Sequence, residues 1–147
     1  MEPVSPTGPI TAAIAVDAIT VATRRAEELY VHVSVALVDS GGNLKAFLRM
    51  DGAEIAGPTL AVDKAYTAVA NRCATQDLAA LAQPGQPLFG LHTGAGGRYT
   101  IYGGGVPVVL NGEVVGAVGV SGAAAAEDAE CATMAAGACL RALGGQA

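Results

Sequence analysis

Five titratable side chains stand where they could do chemistry: Asp39, Arg49, Lys64, His92 and Arg98. Arg49, at the end of an apolar run, could hold a carboxylate through two parallel hydrogen bonds. Lys64 could act as a general base, or as a simple cation, once desolvated. His92 could move a proton near neutral pH. Arg98 could anchor an anionic substrate, and Tyr66 and Tyr102 could donate hydrogen bonds. Each also has a plainer alternative. Asp39 opens Asp39-Ser40-Gly41-Gly42-Asn43 and could simply cap that turn. Arg49 could pair with Asp51 or Glu54. Lys64 falls on the polar side of its helical stripe, where a solvated lysine is the default. His92 could be an ordinary loop histidine, and His32 a packed or surface strand residue.

Backbone could matter as much as side chains. Gly103-Gly104-Gly105 follows Tyr99-Thr100-Ile101-Tyr102 and runs straight into Val106-Pro107-Val108-Val109-Leu110. Three consecutive glycines are conformationally costly and are kept where a turn needs positive φ or something approaches the main chain closely. Gly94-Ala95-Gly96-Gly97 with Arg98 could receive an anion. So could the N-terminus of the last helix after Ser121-Gly122, although Glu127 and Asp128 oppose it. Nucleotide-binding glycine signatures are missing, as are a nucleophile-elbow serine, metal-ligand spacing and a CxxCH motif.

The elements that must position these residues follow from periodicity. Pro9 to Leu29 reads as a helix with Ile10, Ile14, Ala18, Val21, Ala22, Arg25 and Leu29 near one stripe. Tyr30–Val38 and Leu44–Met50 form a hairpin around the Asp39 turn. Gly57-Pro58-Thr59 opens a helix running to about Arg72, with Val62, Ala65, Tyr66, Val69 and Cys73 as its stripe. A short helix follows, with Thr75 as N-cap and residues 77–81 as body. Residues 83–87 and 91–97 read as loops. Three strands close the sheet: Arg98–Tyr102, Val106–Leu110 and Glu113–Val120. Asn111-Gly112 marks a two-residue type I′ turn between the last two. The final helix spans Ala124 to about Leu143 and ends at Gly144-Gly145. The order α-β-β-α-α-β-β-β-α predicts one α+β domain over residues 9–147, a five-stranded antiparallel sheet flanked by helices, after a frayed tail at residues 1–8.

Composition narrows the partners. The chain has 147 residues, 52% of them hydrophobic and only 14% charged, with a net charge of −5. No run approaches the ~18 apolar residues of a membrane span. No basic stripe exists to neutralise phosphates, which excludes nucleic acid. So few charges, with so many small residues, predict burial of surface in a homo-oligomer. Cys73, Cys131 and Cys139 are odd in number and fit no zinc spacing, so reduced buried thiols are expected. With no signal-peptide pattern in the first residues, a cytoplasmic protein is expected.

Several strings together resemble the GlcG/HbpS family, the haem-degrading domain family. They are Ala36-Leu37-Val38-Asp39-Ser40-Gly41-Gly42-Asn43-Leu44, Arg49-Met50-Asp51-Gly52-Ala53, Asp63-Lys64-Ala65-Tyr66-Thr67-Ala68, Asp77-Leu78-Ala79 and Leu88-Phe89-Gly90. Gly103-Gly104-Gly105-Val106-Pro107 and Val114-Val115-Gly116-Ala117-Val118-Gly119-Val120-Ser121-Gly122 continue them, so the match runs through residues 9–143 in order. The resemblance implies a profilin-like α+β fold, oligomers that are often octamers, and haem as the example of a ligand. Relatives that bind haem are expected to supply a histidine from the first helix, and residues 1–31 contain none. His92 is then the better metal-ligand candidate if haem binds, because loop residues beside glycine-rich backbone commonly line sites.

Three functions follow as expectations. The first is a binding protein holding a carboxylated or tetrapyrrole ligand near Asp39, Arg49, Tyr66, Arg98, Tyr102 and the backbone of Gly103, Gly104 and Gly105. The second is a cofactor-independent isomerase, dehydratase or cyclase with His92 or Lys64 as base and Arg49 or Arg98 as anchor. The third is an assembly module without a ligand.

Overall fold

The computed structural model describes residues 1–146. Its elements are α1 (Ala12–Glu28), β1 (Ser34–Asp39), β2 (Leu44–Arg49), α2 (Gly57–Asn71), α3 (Thr75–Leu81), the one-turn segment α4 (Gly94–Gly97), β3 (Gly105–Leu110), β4 (Glu113–Ser121) and α5 (Ala125–Ala142). A 3-10 turn at Leu91–Thr93 precedes α4. The strands form one antiparallel sheet in the order β2-β1-β4-β3.

The fold is α+β, with helices on both faces of the sheet. One face carries Val33, Val35, Leu37, Val118 and Val120 into a core shared with Ala15, Ala18, Ile19 and Ala22 of α1 and Cys131, Ala132 and Ala135 of α5. The other face carries Ala36, Val38 and Ala117 against Ala61, Ala65 and Ala68 of α2. Because both faces are covered, every residue of β1 is buried, polar Ser34 and Asp39 included. Small residues set the spacing. A Cβ at Gly119 would collide with the Ala61 carbonyl, so α2 rests almost directly on the sheet backbone. Arg25 of α1 reaches Glu130 of α5 and ties the two helices of the first face together.

Local signals account for the ends of these elements. Thr11 caps α1 by accepting from Ile14 N at 3.2 Å. The Glu127 carboxylate accepts from Ala124 N at 3.0 Å at the start of α5. Asn111 and Gly112 have φ of 51° and 81°, the left-handed pair that a type I′ turn requires.

The sheet has four strands where five were expected. Arg98–Tyr102 has extended-strand composition but pairs with no strand, and a side chain of α2 takes the Thr100 N–H at its centre. Thr67 Oγ1 accepts from Thr100 N at 2.9 Å and gives its own proton to the Asp63 carbonyl at 2.6 Å, with the Arg98 carbonyl 3.3 Å away. The loop expected at 91–97 is a 3-10 turn followed by a turn kinked at Ala95 and Gly96, both in left-handed conformation. Thr75 is not the N-cap of α3. Ala74 holds that position, and the buried Thr75 hydroxyl instead accepts from Gly105 N at 2.9 Å.

Candidate functional site

Lys64 is not on a solvated face. It lies three residues after Ala61 on the side of α2 that meets the sheet, and its side chain is 1% exposed. Its ammonium donates to the Val120 carbonyl at 2.8 Å and to Asp128 Oδ2 at 2.9 Å. The other Asp128 oxygen accepts from Ala123 N at 3.0 Å. Tyr102 lies outside this pair, its ring centroid 5.2 Å from Lys64 Nζ. Burial pushes Lys64 down from the ordinary lysine value and Asp128 up from the ordinary carboxylate value. Their mutual attraction opposes both shifts. Partial burial, followed by the charges of Glu54, Asp128 and Asp63, pushes the Tyr102 phenol up.

The glycine run belongs to this cluster. A Cβ at Gly104 would lie 2.7 Å from Lys64 Nζ and would also strike the Val120 carbonyl, and φ there is +126°. At Gly103 it would lie 2.8 Å from the Ala125 carbonyl. All three glycines are buried. The run is therefore filled by Lys64 and the start of α5, rather than forming an open backbone cradle. The Lys64–Asp128 bond crosses from α2 to α5 and so clamps opposite faces of the sheet together past the end of β4.

Arg98 and Tyr66 form a second cluster. Arg98 Nε donates to Asp63 Oδ1 at 3.0 Å, and its guanidinium lies 3.8 Å from the Tyr66 ring centroid. Tyr66 in turn stacks on Tyr99 at 6.1 Å. Asp39 proves to be a turn cap. One of its oxygens accepts from Gly41 N at 2.9 Å and from Asn43 N at 3.0 Å, and its carboxylate also binds the Asn43 side chain.

His92 is exposed on the 3-10 turn and makes no side-chain hydrogen bond or ion pair among the described residues. Arg49 lies elsewhere, at the end of β2, with Nη2 donating to the Ala53 carbonyl. Arg49, Lys64 and His92 are thus not brought into one groove. What the structure does bring together is Arg49 and His32. They line a groove of about 480 Å³ between the C-terminal part of α1 and the end of β2, with Leu48, Met50, Glu27 and Asp51. Small-molecule sites run from about 300 to 1,000 Å³. Periodicity read His32 only as a strand residue. The missed signal was that it lies just before β1 while Arg49 ends the strand paired to it: Ser34 and Arg49 are direct partners. Asp128 was read as an acid suited to a helix N-terminus, and nothing local linked it to Lys64.

Among the described residues no cluster of three or more His, Cys, Asp or Glu could hold a bare metal ion. No described helix is long and apolar enough to cross a membrane.

Comparison with known proteins places this arrangement. The family model for haem-degrading HbpS-like proteins matches residues 10–137. The chain is 43% identical over 104 residues to an uncharacterised 15.0 kDa protein from the dhaT–dhaS intergenic region of Citrobacter freundii, covering 71% of this chain and 73% of that one. The crystal structure of Klebsiella pneumoniae protein ORFY superimposes with a TM-score of 0.87 at 34% identity, covering 95% of this chain and 96% of ORFY. The crystal structure of a PduOC–haem complex superimposes with a TM-score of 0.84 at 33% identity, covering 88% and 94%. The four-stranded sheet between α2 and the α1–α5 pair is therefore that of the HbpS-like haem-degrading family, to which this chain belongs.

Proposed function

We propose that the protein binds a flat, carboxylate-bearing small molecule of the tetrapyrrole class, haem being the best fit, in the groove between α1 and β2. One observation carries this reading: His32 and Arg49 line the same groove beside apolar Leu48 and Met50. An imidazole suits an axial position on iron, and a guanidinium suits a propionate. Glu27 and Asp51 on the same lining favour a cationic centre over a bare anion. The Met50 thioether accepts from Val33 N at 3.5 Å. When bound, haem supplies a redox-active iron. Of the chain's own residues, His32 would hold the metal and Arg49 a carboxylate. The haem complex of PduOC supports the ligand class.

A homo-oligomer is part of the proposal. Ile55 is 92% exposed and Phe89 64%, apolar surface that subunit contacts would cover.

The test is a haemin titration followed by absorbance, on the wild type and on His32→Ala, Arg49→Gln and His92→Ala. The expected result is a stoichiometric Soret band that is lost in H32A, weakened in R49Q and unchanged in H92A. Absence of a stoichiometric band in the wild type would exclude haem. Loss in H92A alone would move the site to the 3-10 turn.

A further inference from the structure

A second hollow lies on the opposite edge of the sheet, between β3 and α5, with a volume of about 350 Å³. Val106, Val108 and Val109 form its strand wall, and Met134, Ala136 and Leu140 its helix wall. Val109 and Met134 remain 44% and 43% exposed, so apolar surface stands in water there. One charged residue lines the hollow, Arg141, in the last turn of α5. Its guanidinium makes no ion pair and no side-chain hydrogen bond among the described residues. An apolar trough rimmed by one cation that is unpaired among the described residues is complementary to a molecule that is apolar at one end and anionic at the other.

The edge strand argues against a partner strand as occupant. Val120 N donates to the Gly104 carbonyl, so residues 104, 106 and 108 turn their polar groups towards β4, and 105 and 107 turn outward. The outward N–H of Gly105 is taken by Thr75 Oγ1. The residue at 107 is proline, which has none. Over residues 104–108 a strand from another chain would find no free donor, which leaves Val109 as the one outward N–H of β3 among the described residues.

We infer that the β3–α5 trough is a binding site for a small amphipathic monocarboxylate, an aryl or short-chain acid, whose apolar body lies on Val106, Met134 and Leu140 and whose carboxylate meets Arg141. The trough lies at the small end of the range for ligand sites, which fits one or two rings rather than a macrocycle. It shares no lining residue with the His32–Arg49 groove and is independent of haem binding.

The experiment is a calorimetric titration of the full chain with 2-naphthoate, and with 2-naphthalenemethanol as the uncharged analogue. Arg141→Gln removes the cation, Gly137→Leu fills the trough, and Arg49→Gln is the control. The expected result is saturable naphthoate binding, weakened at least tenfold in R141Q, lost in G137L and unchanged in R49Q, with the alcohol as weak on wild type as naphthoate is on R141Q. Haemin titration of R141Q should match the wild type, which separates this site from the first. Lack of saturable naphthoate binding, or equal binding by R141Q, would overturn the inference. So would a sedimentation change in R141Q and G137L showing that a second copy of the chain covers the trough.

Discussion

Lys64 and Arg49 carry the same charge, yet one lies inside the protein and the other at its surface. Lys64 is held by a carbonyl and a carboxylate and has no contact with solvent. Arg49 gives one bond to the Ala53 carbonyl and presents the rest of its guanidinium to a groove. The glycine run adjoins the first residue and not the second. The comparison teaches that the most conspicuous stretch of this chain is there to make room for a buried cation, whereas the groove suited to a ligand is built from less conspicuous residues. A buried ion pair is costly to half-remove, because the remaining charge is left without a partner. Groove residues that already face water can be changed at little cost to stability.

The widest separation between the two regions should come from Lys64→Met or Asp128→Ala alone. Each should lower unfolding free energy by about 3–5 kcal/mol in urea denaturation. The double change Lys64→Met with Asp128→Leu should recover most of that loss. If either single variant is as stable as wild type, the clamp between α2 and α5 does not exist. Gly104→Ala comes next, at about 2–3 kcal/mol, since its Cβ would meet Lys64 Nζ and the φ is unfavourable for any L side chain. Combining it with Lys64→Met should leave most of the Gly104→Ala penalty, because the Val120 carbonyl and the positive φ remain.

A third expectation concerns pH. Burial pushes the Cys131 and Cys139 thiols up to about 11, against an ordinary value of 9.0. Below pH 9 the thiols are protonated in both states and their contribution is fully present. Above it the unfolded chain releases protons that the native protein keeps, so stability falls as pH rises from about 9 to 11. At pH 10 the loss should be on the order of 1 kcal/mol per thiol, read from urea midpoints at pH 8 and pH 10. The variant Cys131→Ala/Cys139→Ala should flatten that slope. Asp39→Ala should cost about 1 kcal/mol through the lost turn cap, visible as a small drop in thermal midpoint with haem binding intact. The smallest stability effect belongs to the groove. H32A and R49Q should stay within about 0.5 kcal/mol of wild type while changing the Soret titration. A large destabilisation by H32A would make that histidine a structural residue and erase the contrast.

Much of the architecture was legible because it is decided locally. Asn111-Gly112 can take left-handed φ at two successive positions, and that alone specifies the β3–β4 hairpin. Asp39 followed by Gly41 and Asn43 caps the β1–β2 turn through bonds that span at most four residues. The element order and the family strings are of the same kind. The strand expected at Arg98–Tyr102 failed for a non-local reason: Thr67, 33 positions before Thr100, takes the N–H at the middle of that segment. The stripe drawn on α2 was too narrow: Val62, Ala65 and Val69 do pack inward, but a helix covered by a sheet buries a wider face that also takes in Ala61, Lys64 and Ala68.

The sequence by itself determined the helices α1, α2, α3 and α5, which turns join the strands and which family the chain resembles, because propensity, capping and turn geometry act over a few residues. The tertiary structure alone decided what the charged residues do. Asp128 stands 64 positions from Lys64, and only the packing of α2 and α5 about the end of β4 brings their charges within 2.9 Å. The same packing leaves His92 in solvent and opens a groove between His32 and Arg49. Whether a charge is buried depends on what covers it, and the cover comes from distant parts of the chain.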